Sequence, residues 1–183
     1  MHRLIYFVLI VTALLCNACI GNNEAKKKLE VELRLFKAKT IIFPDNMTAK
    51  NCDEQGLPDK SLLSRPLKMV VYVNQKGCQD CRLRALLPLY MFILENENHE
   101  NFGVIIILNT ELMEDAEFTL KDMRFNRTVF FDLDGSFERL NPHLPTNEQL
   151  HTFLLNEKNK VVLAGNPVLN EKLKKLYLAE LDK

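Results

Sequence analysis

The chain carries no excess charge of either sign: 24 basic side chains balance 24 acidic ones over 183 residues. A surface that binds nucleic acid displaces counterions with clustered Lys and Arg, so this balance argues against such a partner. No internal repeat, low-complexity tract, phosphate loop, Ser/His/Asp arrangement or basic aromatic patch is legible. Charged residues at 26% beside hydrophobic residues at 47% exclude a disordered chain. Five cysteines are too few to staple a disulfide-built miniprotein. The length predicts one domain with a core of its own. What remains informative is an apolar N-terminus and the placing of the cysteines at 16, 19, 52, 78 and 81.

His2 and Arg3 begin a short polar, basic start, followed by an apolar run over residues 4–15. As a helix that run reaches ~18 Å, short of a hydrocarbon core of ~30 Å. It reads as a signal peptide over residues 1–18. Cys16-Asn17-Ala18-Cys19 follows, and a small residue just before a cysteine resembles the lipobox of bacterial lipoproteins. That resemblance implies cleavage after Ala18 and a diacylglycerol on the Cys19 sulfur. Plain secretion and an uncleaved anchor are the alternatives, and every version exports the domain. Residues 19–38 form a tether and N-terminal segment, read as helical from the Lys26/Glu30 and Glu30/Arg34 pairs although its leucines also alternate like a strand.

Residues 39–183 make the main domain. Residues 39–44 read as a short strand stopped by Pro44, and residues 45–67 as loop with room for an edge strand. Residues 69–73 (MVVYV) and 103–108 (GVIIIL) read as buried strands. Between them, residues 78–97 have helical composition, with Pro88 expected to kink the helix and Leu83, Leu86, Leu87, Tyr90 and Leu94 on one face. A helix over 111–125, a strand over 128–132, a hairpin over 152–164 and a helix over 169–181 complete the order. Helices alternating with buried strands imply parallel pairing, and the hairpin adds an antiparallel part. The expected class is an α/β sandwich with a mixed central sheet.

Cys78 and Cys81 form a C-x-x-C where a strand ends and a helix begins. Helix N–H groups there stabilise a thiolate on Cys78, and Cys81, expected to point toward the body of the protein, can close a small ring. Asp80 between them opposes ionisation of Cys78, while Lys76, Arg82 and Arg84 favour it. A structural disulfide and half a zinc site are the competing readings. Zinc needs two further ligands, and Cys52, His99, His143 and His151 stand at no ligand spacing. Cys52 reads as an isolated loop thiol, and the Asp132/Asp134 pair beside Gly135 as a turn rather than a metal pair.

From about residue 40 onward the chain resembles the thioredoxin superfamily, and is most similar to envelope-tethered thioredoxin-like lipoproteins related to the oxidoreductases of cytochrome c maturation. The carrying residues are Val70-Val71-Tyr72-Val73 leading into Gly77-Cys78-Gln79-Asp80-Cys81-Arg82, and the stretch Thr152-Phe153-Leu154-Leu155 to Val161-Val162. The resemblance implies a thioredoxin-like three-layer sandwich, with Cys78 as nucleophile, Cys81 as resolving thiol, and no cofactor beyond the reversible disulfide. Departures are clear. No aromatic precedes Cys78, no proline stands between the cysteines, and Asn159 replaces the hairpin glycine. Leu150 stands where the family places a cis-proline, Pro145 being five residues too early. His151, next to that position, is a candidate for tuning the disulfide, as are Asp80 and Arg82.

The function these features imply is a membrane-anchored thiol–disulfide oxidoreductase of the bacterial envelope, facing the periplasm and acting as a reductase. It would have protein thiol or disulfide clients and a membrane electron donor or acceptor. A non-catalytic binding lipoprotein on the same fold is the second reading. A metal chaperone is the third, disfavoured because related copper-handling folds space their cysteines by three residues.

Overall fold

The computed structural model describes residues 24, 26–52, 56–96 and 98–183. The expected signal peptide and Cys19 lie outside those residues. The chain divides into two compact units, Met1–Leu35 and Phe36–Lys183. Residues 26–37 are helical (α1), with Leu29, Val31 and Leu35 exposed. Among the described residues no helix is long and apolar enough to cross a membrane.

The second unit is built on one six-stranded sheet in the order β1-β4-β3-β2-β5-β6. Its strands are β1 (Thr48–Asn51), β2 (Leu67–Val73), β3 (Phe102–Asn109), β4 (Thr128–Asp132), β5 (Thr152–Leu155) and β6 (Val161–Ala164). The β2–β3 and β3–β4 pairs are parallel and the remaining pairs antiparallel. The mixed sheet expected from the sequence is therefore present, with β1 as an added antiparallel edge. The helices are α2 (Gln79–Arg84), α3 (Leu87–Asn96), α4 (Met113–Asp122), α5 (Ser136–Leu140) and α6 (Glu171–Leu181).

Strand alternation sends successive side chains to opposite faces. Met69, Val71 and Val73 join the side chains of α2, α3, α4 and α6 on one face. Val70 and Tyr72 pack with Phe36, Ile41 and Phe137 on the other. Fully buried side chains such as Phe130, Phe131 and Phe153 contribute ~1.5–3 kcal/mol each. Lys68 shares this interior at 1% exposure, and its Nζ donates to the Arg65 carbonyl at 2.6 Å.

Four local expectations are corrected. Residues 39–44 do not form a strand; only Thr40 bridges Lys160, and the Ile42 N–H and carbonyl are taken by the Asn141 side chain, each at 2.8 Å. The helix expected over 78–97 is not kinked but divided, α2 ending at Arg84 and α3 starting at Leu87. Pro88 has no N–H to give the Arg84 carbonyl, and its ring would meet that carbonyl in a continuous helix. In the first turn of α3 it costs nothing. Leu87, expected on the inner face, is 48% exposed because the division changes the helical phase. The C-terminal helix begins at Glu171, where Asn170 accepts the Leu173 N–H at 3.0 Å, and a 3-10 turn occupies Pro167–Leu169.

The two turns read from the sequence are present. Asp132 accepts the N–H groups of Ser136 and Phe137, each at 2.9 Å, so it caps α5. Asn159, at φ 55°, takes the left-handed conformation that glycine would supply more cheaply.

Candidate functional site

The site begins where β2 leaves the sheet. Asn74 is buried at 2% exposure, and its Oδ1 accepts the Lys76 N–H at 3.1 Å, which bends the chain out of the strand. Gln75, Lys76, Gly77 and Cys78 are exposed. Gly77 has φ 78°, with open space where a Cβ would lie, so it is backbone conformation and not crowding that calls for glycine. The turn delivers Cys78 to the N-cap of α2, where its Sγ accepts the Cys81 N–H at 3.2 Å.

Cys78 and Cys81 are joined in a disulfide with their Cα atoms 5.4 Å apart. Cys81 is exposed, against the expectation that it would point inward. Helical spacing explains this. Gln79, Arg82, Leu83 and Leu86 form the inner stripe of this segment, Leu83 being fully buried, and Cys81 falls outside it. Since α2 has only six residues, the directed N–H contact, more than a long macrodipole, is what favours a Cys78 thiolate.

Each flanking ion has a specific partner. Asp80 accepts from the Thr119 hydroxyl at 2.9 Å and from Arg84 Nε at 3.1 Å, and these bonds hold its carboxyl below the ordinary range. Arg84 also reaches Asp122 at 2.9 Å, which draws α2 onto α4. Gln79 accepts the Thr110 hydroxyl at 2.9 Å, tying the same helix to the end of β3. Arg82 turns the other way and pairs with Glu148 at 2.5 Å. The cations expected to assist Cys78 therefore do not stand alone: Arg82 and Arg84 each have a carboxylate partner.

His151 is buried and enters β5, its carbonyl accepting the Tyr72 N–H at 2.9 Å. Its ring lies 5.4 Å from the Tyr72 ring, and its Nε2 is 2.8 Å from the Pro145 carbonyl. Burial pushes its pKa down, against the opposing pull of that carbonyl and of Glu148. The ring thus bonds Pro145 and not a cysteine. A cavity of about 220 Å³ lies beside it, lined by Lys76, Pro145 and His151 among others. Leu150 is buried in a 3-10 turn, and no cis peptide occurs among the described residues.

Cys52 lies apart from the pair. It is the isolated thiol expected, unpaired and just past the end of β1, and it is buried at 6% exposure. Among the described residues no three His, Cys, Asp or Glu side chains are placed to share a metal ion. A larger cavity, about 300 Å³, lies toward the opposite ends of the parallel strands, lined by Arg65, Phe102, Gly103 and Thr128 among others. Sequence reasoning missed Asn74 and Glu148. They carry no motif, and their link spans 74 residues of chain.

No family model matches the chain, and no curated protein matches it. Solved structures do. A candidate thiol:disulfide interchange protein DsbE from Chlorobium tepidum is 22% identical with a TM-score of 0.53, over 78% of this chain and 97% of its own. A thiol-disulfide oxidoreductase from Bacteroides fragilis is 16% identical with a TM-score of 0.51, over 75% of this chain and 99% of its own. A thioredoxin-like protein solved in its oxidised form is 14% identical with a TM-score of 0.52, over 77% of this chain and 97% of its own. The likeness is one of fold: the chain has the thioredoxin-like architecture that its sequence resembles.

Proposed function

We propose that the chain is a thiol–disulfide oxidoreductase that reduces disulfides of exported proteins. The observation that carries this reading is the solvent-exposed Cys78–Cys81 disulfide at the turn leaving central strand β2, with the Cys78 sulfur hydrogen-bonded by the Cys81 N–H. In the reduced protein the Cys78 thiolate attacks one sulfur of a client disulfide. A mixed disulfide forms and the other client sulfur leaves as a thiolate. Cys81, deprotonated, then attacks the Cys78 sulfur, closing the internal disulfide and releasing the second client thiolate. The client gains two electrons and two protons, and the pair is oxidised by the same amount. A membrane electron donor returns the pair to dithiol.

Reduction of clients is the direction implied by the resemblance of the sequence. Export and anchoring at the periplasmic face of a bacterial membrane are part of this proposal, supported by the signal-like residues 1–18 and the lipobox-like Ala18-Cys19. Loss of metabolically labelled palmitate from Cys19→Ala, but not from Cys52→Ala, is the expected result for the anchor. Label retained by Cys19→Ala would refute it.

The activity is tested with the full-length chain in detergent, insulin as the disulfide client and dithiothreitol as electron donor. The wild type is expected to accelerate insulin reduction and Cys78→Ser to lose that acceleration. Cys81→Ser is expected to retain insulin chains as mixed disulfides detectable by mass. A wild-type chain that neither accelerates reduction nor captures client would overturn the reading and leave a binding lipoprotein on this fold.

A further inference from the structure

Three side chains join the end of β2, the last turn of α2 and the turn before β5. Asn74 Nδ2 donates to Glu148 Oε1 at 3.0 Å. Arg82 donates to the carbonyls of Asn74 at 3.0 Å and Lys76 at 2.7 Å, and also to Asn74 Oδ1. Its Nη2 reaches Glu148 Oε2 at 2.5 Å. Both carboxylate oxygens of Glu148 are therefore engaged. Burial works to raise the Glu148 pKa, and the Asn74 bond and Arg82 charge override it, so the carboxylate stays ionised.

The placing of this cluster matters for the sulfur chemistry. Lys76, whose carbonyl Arg82 holds, is two residues before Cys78, and Arg82 directly follows Cys81. A guanidinium here without a counterion would stabilise a Cys78 thiolate, and a stabilised thiolate makes the dithiol form harder to oxidise. Glu148 supplies that counterion from the segment entering β5. On the other side of α2, Asp80 and Asp122 share the single guanidinium of Arg84 in a separate group.

We propose that Asn74, Arg82 and Glu148 form a positioning clamp on the disulfide turn, in which Glu148 withholds the Arg82 charge from Cys78 and so keeps the pair reducing. The proposal deepens, and rests on, the thiol–disulfide activity above. None of the three is a catalytic residue; they act through Cys78.

The test uses the full-length chain and two readouts: the thiolate titration of Cys78 in dithiothreitol-reduced protein, followed by ultraviolet absorbance, and the glutathione equilibrium of the pair. Glu148→Gln keeps the side-chain length and removes the charge. It is expected to move the thiolate titration to lower pH and to shift the equilibrium about threefold to tenfold toward dithiol, equivalent to about 14–30 mV. Arg82→Met is expected to move both readouts the other way, and the double variant to return toward wild type. Arg82→Lys keeps the charge without the guanidinium fork and is expected to hold the wild-type titration, and Arg82→Gln, uncharged like the Met variant, replaces Arg82→Met if that variant does not fold. Single variants that shift together in one direction, or shift by less than about twofold, would overturn the proposal and leave only a mechanical brace. So would an Arg82→Lys shift as large as that of Arg82→Met. The thiolate readout needs no turnover, so a chain inert toward insulin would sink the activity while the clamp is still tested.

Discussion

Cys52 and the Cys78–Cys81 pair belong to the same unit but meet opposite surroundings. Cys52 follows edge strand β1 at 6% exposure, and burial, with Glu117 adding to it, pushes its thiol up to about 11. Cys78 and Cys81 stand in solvent at the end of central strand β2, joined to each other, with a backbone N–H directed at the Cys78 sulfur. The difference teaches that placement, not residue type, sets what a cysteine meets: desolvation keeps Cys52 protonated, and the turn holds the Cys78 sulfur in solvent against a directed donor.

The largest effect that can break this comparison is on chemistry. Cys78→Ser is expected to abolish exchange with a disulfide client, and Cys52→Ala to leave the rate unchanged, both read by insulin reduction. Accessibility comes next. In dithiothreitol-reduced protein, iodoacetamide is expected to modify Cys78 and Cys81, with Cys52 reacting only in denaturant, as read by peptide mass. Modification of Cys52 in the native protein would erase the distinction.

Stability effects are smaller. Cys52→Ser puts a hydroxyl among apolar neighbours and is expected to cost about 1–3 kcal/mol in denaturant unfolding without moving the disulfide potential. The raised Cys52 pKa has a defined sign. The native state holds the proton longer than the unfolded chain, so this contribution to stability is full below pH 9 and is lost as pH rises from 9 through about 11. Cys52→Ala is expected to flatten that alkaline decline. The smallest effect belongs to the turn. Gly77→Ala meets open space but keeps φ at 78°, so it is expected to cost about 1–2 kcal/mol through conformation alone.

Much of the fold was legible where local pattern and tertiary demand agree. The β-branched runs of β2 and β3 are buried on both faces, and such runs admit few alternatives. Gly77 and the two cysteines mark the strand-to-helix turn. Edge strand β1 (TAKN) was only allowed for, because a half-buried four-residue strand paired on one side has no periodicity to read. The failure of residues 39–44 to pair reflects one side chain, Asn141, occupying the backbone of Ile42 from 99 residues away. The outward turn of Cys81 depends on the phase of a helix only six residues long, and the Asn74–Arg82–Glu148 cluster on the approach of Glu148 from 66 residues beyond Arg82. These are facts of tertiary geometry that local sequence does not encode.

The most direct test of the central claim is the reduction potential of the Cys78–Cys81 pair. The full-length chain carrying Cys52→Ala is equilibrated in glutathione and dithiothreitol buffers, its thiols are trapped by alkylation, and the fractions are read by mass. A reversible two-electron transition between about −120 and −270 mV, toward the negative end for a reductase, is the expected result. A pair that remains oxidised until well below about −300 mV would contradict it and make the disulfide a structural staple.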